Sequence, residues 1–502
     1  MLFNSLEFIY LFMPLVLVVF YCLKYYHWEN ATIWWLIIAS LSFYAWWSPP
    51  HLVLLIGSVI FNFLIHKLIL RSYSLVILTF GIIINLSLLG YFKYADFLIG
   101  NFNLVTGDDV PALQIILPLA ISFFTFQQIS FLLDTHNRKI TKCDFSKYCL
   151  FVVFFPQLIA GPIVLQKHTI NQFNISHFYR KIFANFSVGI TLFIIGLFKK
   201  IVIADSMSPI VGGVFSLAEA GEPVPFAAAW MGSIAYTFQI YFDFSGYCDM
   251  ALGLARMFGI RLPINFNSPY KAINIVDFWR RWHITLSLFL RNYLYFPLGG
   301  NRHGIARRYL NLTITMVLGG LWHGASWNFV FWGFLHGLFL TINHAWNFFI
   351  PKDNFMPNFI AKCLSHSVTM FGVIIAWVFF RAESFSAAQA ILKGMFGYEE
   401  VYQYKLWENI YAENLYFWYF APAIAAIIYL TPNAAELARK YRPAIEFSYN
   451  FTRLTWLTRS IFNFLAWRPT LIWGVAFGVL GLASLMQVYR LDELTEFIYF
   501  NF

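Results

Sequence analysis

Two histidines set in long apolar sequence, His323 and His283, are the residues of this chain best placed to do chemistry. His323 lies in Gly-Gly-Leu-Trp-His-Gly-Ala-Ser-Trp at 319–327, and His283 ends Phe-Trp-Arg-Arg-Trp-His at 278–283. An ionisable side chain is costly inside a bilayer, so one embedded in apolar sequence is a functional candidate. Removal from water favours the uncharged imidazole, which accepts a proton near neutral pH. That suits a general base activating a hydroxyl for attack on an activated acyl group. A histidine hydrogen-bonded between helices is the alternative. Other chemistries fit less well. The 12 histidines never come closer than eight residues, which rules out di-iron spacing. A GxSxG elbow, a P-loop and a dinucleotide fingerprint are absent. Cys22, Cys143, Cys149, Cys248 and Cys363 show no CxxC spacing and no histidine at ligand distance, so they read as packing residues and no metal is expected.

Charge gathers around the two histidines. Asn274 and Asp277 form a capping-box variant that starts a helix, and on it stand Arg280, Arg281 and Arg291, too many charges for lipid. The spacing predicts a helix at the cytosolic interface with His283, Ser287 and Arg291 along one stripe. Lys271, Arg302, Arg307 and Arg308 complete the densest positive field in the chain. Trp322, Trp327 and Asn328 flank His323, and Gly319, Gly320 and Gly324 allow close helix approach or a break there. On a continuous helix His336 would lie about 140° around from His323, so His336 and His344 read as packed or interfacial. Gln127 and Asp243 are further candidates for lining a cavity, because polar groups facing lipid would go unpaired. For Gln127 an interhelix hydrogen bond is the alternative, and for Asp243 and Asp249 pairing with Arg256, Arg280 or Arg281.

The elements that position these residues must be membrane helices. Of 502 residues, 60% are hydrophobic and 12% charged, a balance that excludes a water-soluble domain of this size. A helix needs about 20 mostly apolar residues to cross the hydrocarbon, which predicts an all-α polytopic protein with roughly eleven to thirteen spanning or half-spanning segments. The net charge of +10 falls in short clusters between apolar runs, the pattern of basic loops on one membrane face, and nucleic-acid binding is not expected. Glu7 precedes any Lys or Arg, so the first apolar run reads as a retained span with its N-terminus outside and Lys24 inside.

Residues 5–22, 31–48, 51–70 and 74–92 read as spans, with Tyr91-Phe92-Lys93-Tyr94 as an interfacial anchor. Asp108 is expected outside and Arg138, Lys139, Lys142 and Lys147 inside. Pro156, Gly161 and Pro162 break a helix, which at membrane depth implies an internal space. A span from Gly189 is expected to end in the cytosol at Lys199 and Lys200, followed by a connection over 205–226. Further spans are placed around 367–380, 415–431 and 470–487.

Several long motifs resemble, in order, the membrane-bound O-acyltransferase (MBOAT) family, in particular its alginate O-acetyltransferase branch and more distantly the D-alanyl transfer protein of teichoic acid. They are LPLAISFFTFQQISFLLD at 117–134, FPQLIAGPI at 155–163, YFDFSGYCDMALGLARMFGI at 241–260 and DFWRRWHITLSLFLRNYLYFPLGGNR at 277–302. GGLWHGASWNFVFWGFLHG at 319–337, WVFFRAESF at 377–385 and the stretch 497–502 complete the set. The resemblance implies one membrane-embedded domain, with N-terminal helices over 1–110, a core over 111–400 and C-terminal helices over 401–502. It implies a ring of tilted helices around a thinned core, open by a funnel to the cytosol. It matches His323 to the family's catalytic histidine and His283 to its second histidine. The implied activity is transfer of an acetyl or short acyl group from a cytosolic thioester, acetyl-CoA or an acyl carrier, with no tightly bound cofactor. The acceptor would be an exported polysaccharide, alginate or an alginate-like polymer, with peptidoglycan, cellulose or teichoic acid as alternatives. Periplasmic or extracellular acetyltransferase partners and a bacterial inner-membrane location go with that reading. A transporter moving donor or glycan without chemistry is the rival from another class.

Overall fold

The structure, a computed structural model, describes residues 1–173, 182–349, 358–398, 415–445, 463, 465–490 and 495–498. Residues 499–502 of the last matched motif lie outside the described residues. The described chain is all-α. Its main helices are α1 (Phe8–Tyr25), α2 (Glu29–Ala45), α3 (Pro49–Ser72), α4 (Leu75–Thr106), α5 (Ile121–His136) and α6 (Phe145–Val153). They continue with α7 (Ile182–Glu219), α8 (Phe226–Met257), α9 (Ile275–Trp279), α10 (Ile284–Leu290), α11 (Gly304–His323) and α12 (Trp327–Phe349). Last come α13 (Asn358–Arg381), α14 (Phe385–Met395), α15 (Phe417–Leu430) and α16 (Leu471–Arg490). Among the described residues six helices, α1, α3, α4, α7, α13 and α16, are long and apolar enough to cross a membrane. Other apolar runs fold as shorter or broken helices, such as α6, which stops at Val153 before the turn Phe155–Leu158.

Helix α8 is the axis of the molecule. It is buried almost throughout from Ala228 to Met257, although it carries Asp243, Asp249 and Arg256. Along it packs α7, and the two backbones meet at glycines. A Cβ on Gly196 would lie 2.4 Å from the Gly246 carbonyl oxygen, and one on Gly253 would lie 2.5 Å from that of Gly189. Gly189 with Gly196 and Gly246 with Gly253 are each seven residues apart, two turns of helix, so one face of each helix is smooth enough for backbone contact.

Two expectations fail here. The connection predicted over 205–226 is helix as far as Glu219, because α7 runs on through Lys199 and Lys200 by a wide turn at Lys199–Ala204. Those lysines therefore do not end a span in water. Lys200 is buried and holds Asp243 at 2.7 Å and Asp205 at 2.9 Å, while Lys199 holds Asp249 at 2.6 Å. The partners of Asp243 and Asp249 are thus lysines on the glycine-matched helix, not Arg256, Arg280 or Arg281. Asp243 also accepts from the backbone N–H of Ile498, and Lys200 donates to the Glu496 carbonyl, which brings the C-terminal residues into the centre.

The other failure concerns the single helix predicted from Asn274 to Arg291. Asn274 does cap a helix, accepting from the Asp277 N–H at 2.8 Å, but α9 ends at Trp279. His283 then adopts a left-handed conformation, φ 42° and ψ 52°, and α10 starts after it. The stripe of His283, Ser287 and Arg291 is broken at its first member.

Leu at position 196 has no room between α7 and α8. Gly196→Leu is expected to reduce folded protein in membranes several-fold, with about 3 kcal/mol of overpacking, measured by fluorescence-detected size exclusion after mild solubilisation.

Candidate active site

The left-handed turn at His283 exists because the loop before it holds both ends. Asn265 is buried, and its Oδ1 accepts from Thr285 N–H at 3.2 Å and Thr285 Oγ1–H at 2.9 Å, and lies 3.2 Å from His283 Nδ1. Its carbonyl accepts from the Ile284 N–H at 3.0 Å. One loop residue therefore orients the imidazole, which is fully buried and lies edge-on to Phe244. Only a residue whose side chain accepts several hydrogen bonds at once could replace it.

His323 arrives from the other direction, as the last residue of α11. Beyond it the chain turns extended at Gly324, where an added Cβ would sit 2.1 Å from the Phe329 ring. Helix α12 then folds back along α11 with backbone contact at Gly320 and Gly333; a Cβ on Gly320 would be 2.2 Å from the Phe329 carbonyl oxygen. This hairpin places the His323 ring inside an enclosure of Trp322, Trp332 and Phe380, at centroid distances of 5.0, 5.1 and 5.2 Å. The His283 ring lies 6.3 Å from it, centroid to centroid. His323 is 3% exposed, so it faces neither lipid nor bulk water.

The remaining candidates divide into three groups. Trp322 belongs to the enclosure, packed between Phe123, Phe126 and His283. Arg280 and Arg281 belong to a separate cleft of about 780 Å³ that also takes in Lys271, His344, Lys362, Asp277 and Glu436. Arg281 is ion-paired to Asp277 at 3.0 Å. The cleft and the enclosure are neighbours through indoles, since Trp279, next to Arg280, is 5.9 Å from Trp332.

The third group sits elsewhere. Trp327 is 60% exposed and donates to Asn101 Oδ1, so it is not beside His323, because the turn at Gly324 carries it outward. Arg291 is exposed on the turn after α10, over the Phe296 ring. Ser287 is half-buried with its hydroxyl 3.5 Å from the Trp282 carbonyl. Asn328 is buried and donates to the Ala382 carbonyl at 2.7 Å, which ties α12 to the end of α13. Asp243 belongs to the lysine cluster already described. Gln127 is buried, and the adjacent Gln128 makes interhelix bonds to Ser58 and Tyr148. His336 is packed, its Nδ1 accepting from the Trp279 indole at 3.3 Å.

Two residues near the histidines were not singled out from the sequence. Lys93 read as part of an interfacial belt. Instead Lys93 reaches the end of α11, donating to the Trp322 carbonyl at 2.5 Å and the His323 carbonyl at 3.1 Å. The only sequence signal for Lys93 was its isolation as one charge within apolar residues. For Asn265 it was a polar residue between Ile264 and Phe266.

Comparison with known proteins gives a consistent picture. The profile of MBOAT, membrane-bound O-acyltransferase family, matches residues 20–386. A peptidoglycan O-acetyltransferase of Helicobacter pylori is 44% identical over 429 residues, 79% of this chain and 80% of that protein. A probable alginate O-acetylase AlgI of Azotobacter vinelandii is 40% identical over 409 residues, 79% of this chain and 78% of its own. A teichoic acid D-alanyltransferase of Streptococcus thermophilus is 25% identical over 248 residues, covering 45% and 57%.

Asn265→Ala removes the acceptor shared by His283 and Thr285. It is expected to lower stability by about 2 kcal/mol or more, since buried donors lose their partner. A lowered melting temperature of the detergent-solubilised protein checks this, with Asn265→Asp expected to lose less.

Proposed function

Because the chain belongs to the membrane-bound O-acyltransferase family and is a multi-pass membrane O-acyltransferase, we propose that it transfers an acetyl group from a cytosolic thioester towards an extracytoplasmic polysaccharide, with His323 as general base. The observation that carries this reading is the pairing of His323 and His283, forty positions apart in sequence, with ring centroids 6.3 Å apart in a dry aromatic enclosure. A neutral imidazole there takes the proton of an acceptor hydroxyl as its oxygen attacks the thioester carbonyl. The carbon–sulfur bond then breaks, and the departing thiolate receives that proton. His283, fixed by Asn265, shapes the opposite wall.

The donor's charged part has a place in the cleft beside Arg280, Arg281, Lys271 and Lys362. Arg281 is engaged by Asp277, whereas Arg280 and Lys362 form no ion pair among the described residues and are exposed. Phosphate oxygens of coenzyme A or of a carrier's phosphopantetheine match those cations. The basic character of this side supports a cytosolic face, in keeping with a bacterial inner-membrane location. Extracytoplasmic acetyltransferase proteins would complete delivery to the polymer.

For the acceptor, the sequence reading favours alginate or an alginate-like polymer. Peptidoglycan stands beside it, because the relative of 44% identity is named for peptidoglycan. Mass spectrometry of O-acetyl groups on both polymers, from cells with and without the gene, decides between them.

Two outcomes are expected. His323→Ala abolishes polymer acetylation while the protein stays folded in the membrane; acetylation that persists refutes the role. Arg280→Ala combined with Lys362→Ala raises KM for the thioester donor about tenfold with kcat nearly unchanged, an effect that shrinks at high salt, measured on purified protein by thiol release.

A further inference from the structure

Helix α11 stops inside the protein, and its terminal carbonyls need donors that an apolar interior does not supply. Three consecutive carbonyls at that end are met by two consecutive residues of α4. Lys93 Nζ donates to Trp322 O at 2.5 Å and to His323 O at 3.1 Å, and Tyr94 Oη donates to Leu321 O at 2.9 Å. Ser122 Oγ, in the first turn of α5, lies 3.5 Å from the same ammonium. The ammonium also stands 5.9 Å from the centroid of the Trp322 ring, which itself packs against both histidines. Among the described residues no carboxylate is paired with Lys93. Its charge is therefore directed at the negative end of the α11 dipole.

We propose that Lys93 is a positioning residue for acyl transfer: its ammonium clamps the last turn of α11 and thereby sets where the His323 imidazole points. This rests on the reading of His323 as general base. The wide turn Gly90–Tyr94 has a purpose in this view, since it carries Lys93 and Tyr94 together towards the end of α11. A cation bonded to two adjacent carbonyls fixes the backbone of the reacting residue itself, and small displacements of a catalytic group cost large factors in rate.

The experiment compares Lys93→Met, Lys93→Gln and Lys93→Arg with His323→Ala, each purified, normalised to folded protein and assayed for donor KM and kcat. Lys93→Met is expected to lower kcat about thirtyfold with KM for the thioester within about twofold. Lys93→Gln, which keeps donors without the charge, should fall between Met and wild type, and Lys93→Arg should return kcat to within about threefold. Should Lys93→Met fail to accumulate as folded protein, Lys93→Gln is judged in its place. Native kcat in the folded variant, a loss confined to KM, or a loss that Arg does not restore makes Lys93 a packing residue and overturns the proposal. If His323→Ala itself retains transfer, the functional reading fails; if His323→Ala is inactive while Lys93→Met is not, only the clamp fails.

Discussion

A helix that ends in apolar surroundings leaves carbonyl groups that must be bonded by something other than water. The site depends on how this chain meets that demand. Helix α11 carries His323 on its last residue, so the groups that satisfy the helix end also hold the imidazole. The helix is stopped by a glycine too closely faced by Phe329 to be anything larger, and its end is held by Lys93 and Tyr94 from α4. The His283 side obeys the same rule in a different form, with Asn265 bonding to the loop and to the first turn of α10 at once. Neither histidine is placed by hydrophobic packing alone. Packing supplies the dry enclosure, and a few hydrogen bonds supply the aim.

The same reasoning accounts for the polar cluster on α7 and α8. Buried ions are tolerated where each has partners, and the glycine contact between the two helices brings Lys199 and Lys200 within bonding distance of Asp249 and Asp243. Close backbone approach and ion pairing are thus one arrangement. Side chains larger than hydrogen at Gly196 or Gly253 would separate the charges as well as the helices. This region adjoins the His283 side, where Phe244, next to Asp243, faces the His283 ring, and it serves the frame that carries the histidines.

Much of this was legible in the residues. Composition alone established an all-α membrane protein, the motifs established the family, and the long apolar runs gave most of the spans. His323 stood out because a histidine among Gly and Trp in apolar sequence is chemically out of place, and His283 because it closes a run of arginines. The breaks before Pro156 and at Gly324 were legible, the one at His283 was not. A left-handed His283 has no signature in its own neighbourhood, since the cause is Asn265, 18 residues away. Lys199 and Lys200 looked like the cytosolic end of a span because nothing local shows that carboxylates 43 and 50 residues on will receive them. Trp327 was grouped with His323 by adjacency, which a turn at Gly324 cancels. Lys93 lies 230 positions from His323. In each case the local pattern could not see the second chain segment that completes the arrangement.

The bonds from Lys200 to the Glu496 carbonyl and from the Ile498 N–H to Asp243 span 296 and 255 positions. A nascent chain inserting helix by helix therefore carries this cluster incomplete until residues 496–498 emerge. Until then Asp243 lacks one of its donors, Lys200 one of its acceptors, and the Tyr247 ring has not received Phe497. The centre therefore closes only once chain segments lying before and after both histidines in sequence have been made.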